Sequence, residues 1–263
     1  MKGKARVNYV DQTGDVTHAD APSWDFIYLA SLIKDNEWDI GDRVVLPDGR
    51  EFRYGRASAA CASGQGCEFV NSGFQAYTTP VASTVIGDTE IEITGTTHDA
   101  ITKDELKGGF FISWPASLKD TTRGIIGNDV AIADANFTIY LDGPLNEVHT
   151  AATTGCEVWA NPYSELRTGT SANLAKAGIP ATYVSTALMY FWVQTRGTCF
   201  LAPQASVNTN DIGCGFRHDG SIDGYNHLIA NNIDGVAEES SQYAGHRIAG
   251  NQTNNGPLFM LSM

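Results

Sequence analysis

"GDRVVLPDGREFRYGRA", residues 41–57, decides the fold class. Two short extended runs flank Pro47-Asp48-Gly49. Proline fixes φ at the start of a turn and glycine tolerates positive φ, so these three residues close a tight hairpin. In the second arm Phe52 and Tyr54 point to one side of the strand, and Glu51 and Arg53 to the other. Four arginines (Arg43, Arg50, Arg53 and Arg56) lie in the stretch. Alternation splits them between two faces, so they make no continuous basic patch. With Asp42, Asp48 and Glu51 beside them, they suit surface or intersubunit salt bridges better than a phosphate site.

The same punctuation recurs downstream. "STVIGDTEIEITG" (83–95) reads as a hairpin turning at Gly87-Asp88, with Ile91 and Ile93 on one face. "GGFFISW" (108–114) reads as a buried strand. "TRGIIGND", "NFTIYLDGPL" and "CEVWANPY" follow as strands closed by Gly, Asn, Asp or Pro. "ALMYFWVQTRGTCFLAP" (187–203) is the most apolar and reads as a strand pair bending near Arg196-Gly197. The tail "GPLFMLSM" can close a sheet.

Helical periodicity is scarce. In "APSWDFIYLASLIKDNEW" (21–38), Trp24, Ile27, Tyr28, Ser31 and Leu32 could share a helical face, or the segment could be an extended arm. "TKDELKGG" (102–109) carries a capping box, Thr102 to Glu105, and a Gly108 terminator. The expected class is all-β: β-sandwich or barrel domains with a short helical N-terminal segment and extended arms. The expected division is an N-terminal arm, helix and first hairpin over 1–56, a β domain over 57–165, and a second β-rich domain over 166–263. Residues 164–185, small and polar, read as a linker or long loop. Residues 231–256, rich in Asn and Gly, read as surface loops.

The chain has 263 residues, 30 acidic against 17 basic, for a formal net charge of -13. Such a surface repels phosphate backbones, so nucleic acid is not an expected partner. No apolar run is long enough to span a bilayer, and the N-terminus lacks the apolar core of a secretory signal, so no membrane is expected. Five cysteines, an odd number without a C-x-x-C pair, read as small buried side chains of a protein made in a reducing cytoplasm. Cys61 and Cys67 bracket a loop and could approach each other.

Motifs for chemistry are missing. There is no phosphate loop, no dinucleotide glycine fingerprint, no G-x-S-x-G elbow and no H-E-x-x-H. The densest polar stretch, "RHDGSIDGYNH" (217–227), reads as two consecutive Asp-Gly turns, with a cation site as the sharper alternative. No enzyme, cofactor or metal is expected.

The order of six segments carries a resemblance: "DRVVLPDGREFRYGRA", "VIGDTEIEITGTTHDAITKDELKGGFFIS", "FTIYLDGPL", "CEVWANPYS", "GIPATYVSTALMYFWVQTRGTCFL" and the apolar C-terminal strand. About three quarters of the chain resembles structural proteins encoded beside the major capsid gene in tailed bacteriophages. The resemblance implies a virion protein made in the host cytoplasm. The position it favours is that of a capsid decoration (cement) protein, a homotrimer on the major capsid protein outside an icosahedral head. A tail or fibre component binding a host receptor or glycan is the alternative, and the major capsid protein a lesser one. The expected capsid or intersubunit contacts are Trp24, Phe26, Tyr28, Trp38, Arg43, Arg50, Arg53 and Arg56. The cysteines and residues 231–256 fall outside the resemblance.

Overall fold

The computed structural model describes residues 9–10, 16–17, 24–70, 73–169, 174–203, 212–224, 242–251 and 255–262. Among the described residues strand predominates and helix is confined to short turns, so the protein is all-β, as the turn-punctuated sequence implies. Its main strands form two curled antiparallel sheets, each a half-barrel. By packing the chain divides into two units, Met1–Val70 with Tyr163–Met263, and Asn71–Pro162.

The chain begins with a small ribbon of β1 (Tyr9–Val10) and β2 (Val16–Thr17). Helix α1 covers only Trp24–Ile27. The longer helix considered for 21–38 does not form. Ile27 is buried, but Leu32 and Ile33 are 64% and 81% exposed, so no helical stripe faces a core. Instead Ser31 exchanges backbone hydrogen bonds of 3.0 and 2.7 Å with Tyr190, and this pairing overrides local propensity.

β3 (Arg43–Val45) and β4 (Glu51–Arg56) make the opening hairpin, with Val44 opposite Phe52. Gly49 N–H donates to Leu46 O at 2.9 Å and Leu46 N–H to Arg50 O at 2.8 Å, with Gly49 at φ +85°. This is a Pro-Asp turn followed by a left-handed glycine, which reverses the chain without splaying the strands. β5 (Cys67–Phe69) ends the first segment of the discontinuous unit.

The inserted unit follows as β6 (Gly73–Thr78), β7 (Glu90–Ile93), β8 (Phe110–Trp114), β9 (Thr122–Asn128), β10 (Phe137–Leu141) and β11 (Gly155–Trp159). They line up as β6-β11-β8-β9-β10-β7. The turn at Gly87-Asp88 forms, with Asp88 N–H to Val85 O at 3.2 Å. The arm that bonds back to β7 is Thr79–Val81 rather than the residues from 83 onward, through an isolated bridge at Pro80 and Ile93. The ladder partner of β7 is β10, which buries Ile91 and Ile93 beside Phe137 and Ile139. β8 is half-buried rather than buried; Phe111 and Ser113 face the core while Phe110 and Trp114 face outward. Thr102 keeps its capping contact, N–H to Glu105 Oε2 at 2.9 Å, but within turns rather than a helix.

The chain then returns through β12 (Leu166–Thr168), β13 (Lys176–Pro180), β14 (Tyr190–Phe200), β15 (Gly213–Phe216), β16 (Ile222–Gly224), β17 (Gln242–Asn251) and β18 (Asn255–Ser262). Two expectations change here. The linker of 164–185 contains β13, buried along its whole length. Its small residues allow close approach: at Gly178 (φ +144°) a Cβ would lie 2.5 Å from Gln194 O. The loops of 231–256 contain the ten-residue β17; residues 225–241 lie outside the described residues.

β14 is one eleven-residue strand, not a pair. Gly197 at φ +91° and a register shift between Gln194 and Arg196 absorb the bend within it. β14 pairs with β4, β13 and β18, so strands from both segments of the unit meet on it. The tail closes the sheet, β18 lying between β14 and β17.

Packing therefore groups 1–56 with the C-terminal strands, unlike the three consecutive segments expected from sequence. β5 and β12 pair directly, Phe69 opposite Leu166, across the whole insertion. The first and last strands of the insertion also pair, Gly73 opposite Trp159. Adjacent ends on both sides are what lets a domain interrupt another without disturbing its sheet.

Candidate functional site

The eight contact residues expected from sequence divide by their surroundings. Trp38 is buried edge-on against Trp192, with centroids 5.0 Å apart. Phe26, half-buried, lies 6.3 Å from the Tyr54 ring and 6.2 Å from Trp192. With Ile27, Val44, Leu46 and Phe52 these aromatics make a core cluster under the hairpin. The side chain of Trp24 lies outside the described residues.

The arginines also divide. Arg53 Nη1 donates to Gly41 O at 2.9 Å and its guanidinium lies over the Tyr163 ring at 5.8 Å. Arg56 Nε donates to Ser164 O at 3.1 Å. Arg43 forms a two-pronged pair with Glu51, both contacts 2.7 Å, on a side chain 43% exposed. Arg50 donates to Asp48 Oδ2 at 2.7 Å and to the Tyr28 hydroxyl at 2.6 Å. Tyr28, Arg43 and Arg50 thus remain at the surface, with Tyr28 and Arg50 joined. Just beyond Tyr28, the exposed side chains of Leu29, Leu32 and Ile33 make an apolar ridge on the same unit.

A polar cleft of about 310 Å³ opens in the discontinuous unit beside Arg53, Tyr163, Lys176, Thr195 and Gln242. Below it lies a buried ionic centre. Glu68, fully buried, accepts Lys176 Nζ at 3.0 Å and Arg167 Nε at 2.9 Å. Lys176 Nζ also donates to His218 O at 2.8 Å. The Gln242 side-chain amide closes a reciprocal pair with the Lys176 backbone, at 2.6 and 3.0 Å. Gly169 is required beside it, because a Cβ would come within 2.2 Å of the His218 backbone oxygen as well as of Lys176 Nζ. One carboxylate bound by two cations offsets part of the desolvation that each charge incurs on burial. The centre joins β5, β12, β13, β17 and the turn before β16, so its geometry serves the sheet.

Sequence reasoning missed this centre because Lys176 sat in a supposed linker. The available signal was a single charge inside the small apolar run "LAKAGIP".

A serine–histidine contact lies in the core of the inserted unit. Ser113 Oγ lies 2.8 Å from His149 Nε2, but its own proton goes to Asp120 O, also at 2.8 Å. His149 Nδ1 in turn lies 3.3 Å from Glu147 O, so both side chains are also tied to backbone carbonyls of the same unit. Both residues are fully buried.

In 217–227 the first Asp-Gly makes the expected turn, with Gly220 N–H to Arg217 O at 3.1 Å. The second lies in β16, where buried Asp223 pairs with Arg217 at 3.2 Å. His227 lies outside the described residues. Among the described residues, no group of three or more His, Cys, Asp or Glu could hold a metal ion. The five cysteines are buried thiols. Burial pushes those of Cys61, Cys156 and Cys199 up to about 12 and that of Cys67 well above its ordinary value.

Fold and site together define an all-β protein of two half-barrel units whose buried charges are paired within the chain. Comparison with protein-family models, with curated proteins and with solved structures finds no match.

Proposed function

We propose that the chain is a non-enzymatic structural protein of a tailed-phage virion, a decoration protein that binds the major capsid protein outside the head as a homotrimer. The observation that carries this reading is the apolar ridge from Tyr28 to Ile33, with Arg50 bonded to the Tyr28 hydroxyl beside it. Exposed apolar side chains rimmed by charge mark protein contact surfaces. Arginines already paired to carboxylates can exchange those partners for acidic groups on a neighbouring subunit. Repetition over a symmetric shell multiplies weak contacts through effective concentration. The net charge of -13 keeps such a protein off the packaged genome.

Removing the N-terminal segment would not test the ridge, because Ile27 and Trp38 fill the core. The Leu32→Asp/Ile33→Asp double substitution alters only exposed side chains. Burying each aliphatic side chain contributes about 1.5–3 kcal/mol, so binding to heads stripped of this protein should weaken at least about tenfold. The urea midpoint should stay at the wild-type value. Wild-type occupancy by the double variant would overturn the ridge as anchor.

A further inference from the structure

The outward face of the inserted sheet carries aromatic rings that its own core does not use. β8 and β11 pair with Trp114 opposite Gly155, Ile112 opposite Glu157, and Phe110 opposite Trp159. The alternate residues Phe111, Cys156 and Val158 are buried, so these three rows face outward. At one end Tyr77 stacks on Trp114, with centroids 6.1 Å apart and planes 28° apart. The Tyr77 ring lies over Gly155, where a Cβ would come within 2.5 Å of it. At the other end the Trp159 indole N–H donates to Glu157 Oε2 at 3.2 Å. Strand rise separates Trp114 from Phe110 by about 13 Å. Tyr77, Trp114 and Phe110 are 66%, 45% and 42% exposed.

Carboxylates interleave with these rings. Glu157 occupies the middle row. Asp142 lies over Gly124, the partner of Phe110 on β9, with Oδ2 2.7 Å from where a Cβ would be. The nearby cation, Arg123, is held by Asp120 at 2.7 Å and by Pro144 O at 2.8 Å.

This combination selects its occupant. Phosphate and acidic polymers are repelled by Glu157 and Asp142. A wholly apolar protein face would leave both carboxylates dry and unpaired, which is costly. A sugar chain presents C–H faces to the rings and hydroxyl donors to the carboxylates, so it satisfies both. We propose that this face binds an uncharged oligosaccharide chain, with a pyranose lying on Trp114 and Tyr77 and hydroxyls donated to Glu157 and Asp142. The site lies outside the ridge assigned to head binding and does not depend on that assignment.

Native gel electrophoresis of the full chain through gels containing xylan, mixed-linkage β-glucan, galactomannan or hydroxyethylcellulose tests it. At least one of these polysaccharides should retard the wild type. Trp114→Ala and Tyr77→Ala should each weaken that retardation about tenfold or more, the loss of roughly one ring contact. Trp114→Phe, which keeps a ring, should retain most of it, and this separates lost binding from misfolding. Head occupancy should be unchanged in all three variants. No retardation in any gel, or retardation that both alanine variants preserve, would overturn the proposal. So would a self-association of the wild type that Trp114→Ala abolishes without any retardation, since the face would then belong to a second copy.

Discussion

The inserted unit and the discontinuous unit use the same kind of strand to build cores of different kinds. The inserted unit is one unbroken stretch of chain. Its core is a single apolar cluster from Ile91 to Val158, fed by alternating strands such as β7 and β10. The discontinuous unit draws on both ends of the sequence. Its apolar residues fall into three clusters, under the hairpin, around Phe191 and around Phe259, with the Glu68–Lys176 pair buried as well. Local alternation is enough to specify the first core. The second forms only when β4 and β18, both distant in the chain, have joined β13 on β14, and contacts of such long sequence separation are slow to form.

The cysteines allow this contrast to be measured. Cys156 lies in the inserted core, and Cys61, Cys67, Cys199 and Cys214 lie in the other unit. Buried thiols react only when their surroundings open, so labelling along a urea gradient reports each unit separately. The largest expected effect is that of Lys176→Met, which leaves buried Glu68 with Arg167 as its remaining ion-pair partner. Removing one member of a buried pair costs about 3–5 kcal/mol. Labelling of the four thiols should move to much lower urea while that of Cys156 keeps its midpoint. A joint shift of all five would show that the two units unfold as one. Adding Glu68→Gln should recover part of the loss, because the buried carboxylate that lost one of its counter-charges is then neutral.

A smaller effect is expected in the inserted unit and depends on pH. The Ser117 hydroxyl holds the Glu147 carboxyl below its ordinary range, against a smaller opposing effect of desolvation. The N–H groups of Lys119 at 2.7 Å and Asp120 at 3.1 Å act in the same direction as the hydroxyl. A carboxylate with a depressed folded pKa stabilises above its unfolded pKa, and that stability is lost as pH falls through the folded value. Glu147→Gln should therefore lower the Cys156 midpoint at neutral pH and match the wild type in acid. Parallel pH profiles for the two proteins would remove Glu147 from this role.

The sequence was legible where local chemistry decides the outcome. Pro47-Asp48-Gly49 specified its turn, Ile91 and Ile93 their shared face, and Thr102 and Glu105 their capping contact. It was misleading where partners come from afar. Gly87-Asp88 made the turn, but β7 keeps only one bridge to the chain before it and takes β10 as its ladder partner. Ser31 left a helical pattern to pair with Tyr190. β13 looked like a linker because Ala177 and Gly178, chosen for close approach to β14, carry no hydrophobic signal.

The candidate surfaces follow the same rule. Of the eight contact residues read from the sequence, Phe26 and Trp38 proved to serve the core of the discontinuous unit. That distinction depends on Trp192, more than 150 residues away in the chain. The aromatic face was hidden because Tyr77, Trp114 and Trp159 come from three strands, and only the β6-β11-β8 order brings them onto one face.

The proposed function is a position in a phage particle, and an averaged image of particles from the phage that encodes this chain would test it most directly. The account predicts threefold knobs of density on the outside of the head, fitted by the two half-barrel units, with the Tyr28–Ile33 ridge against the shell. Density confined to the tail, or a particle in which the chain is absent, would contradict it.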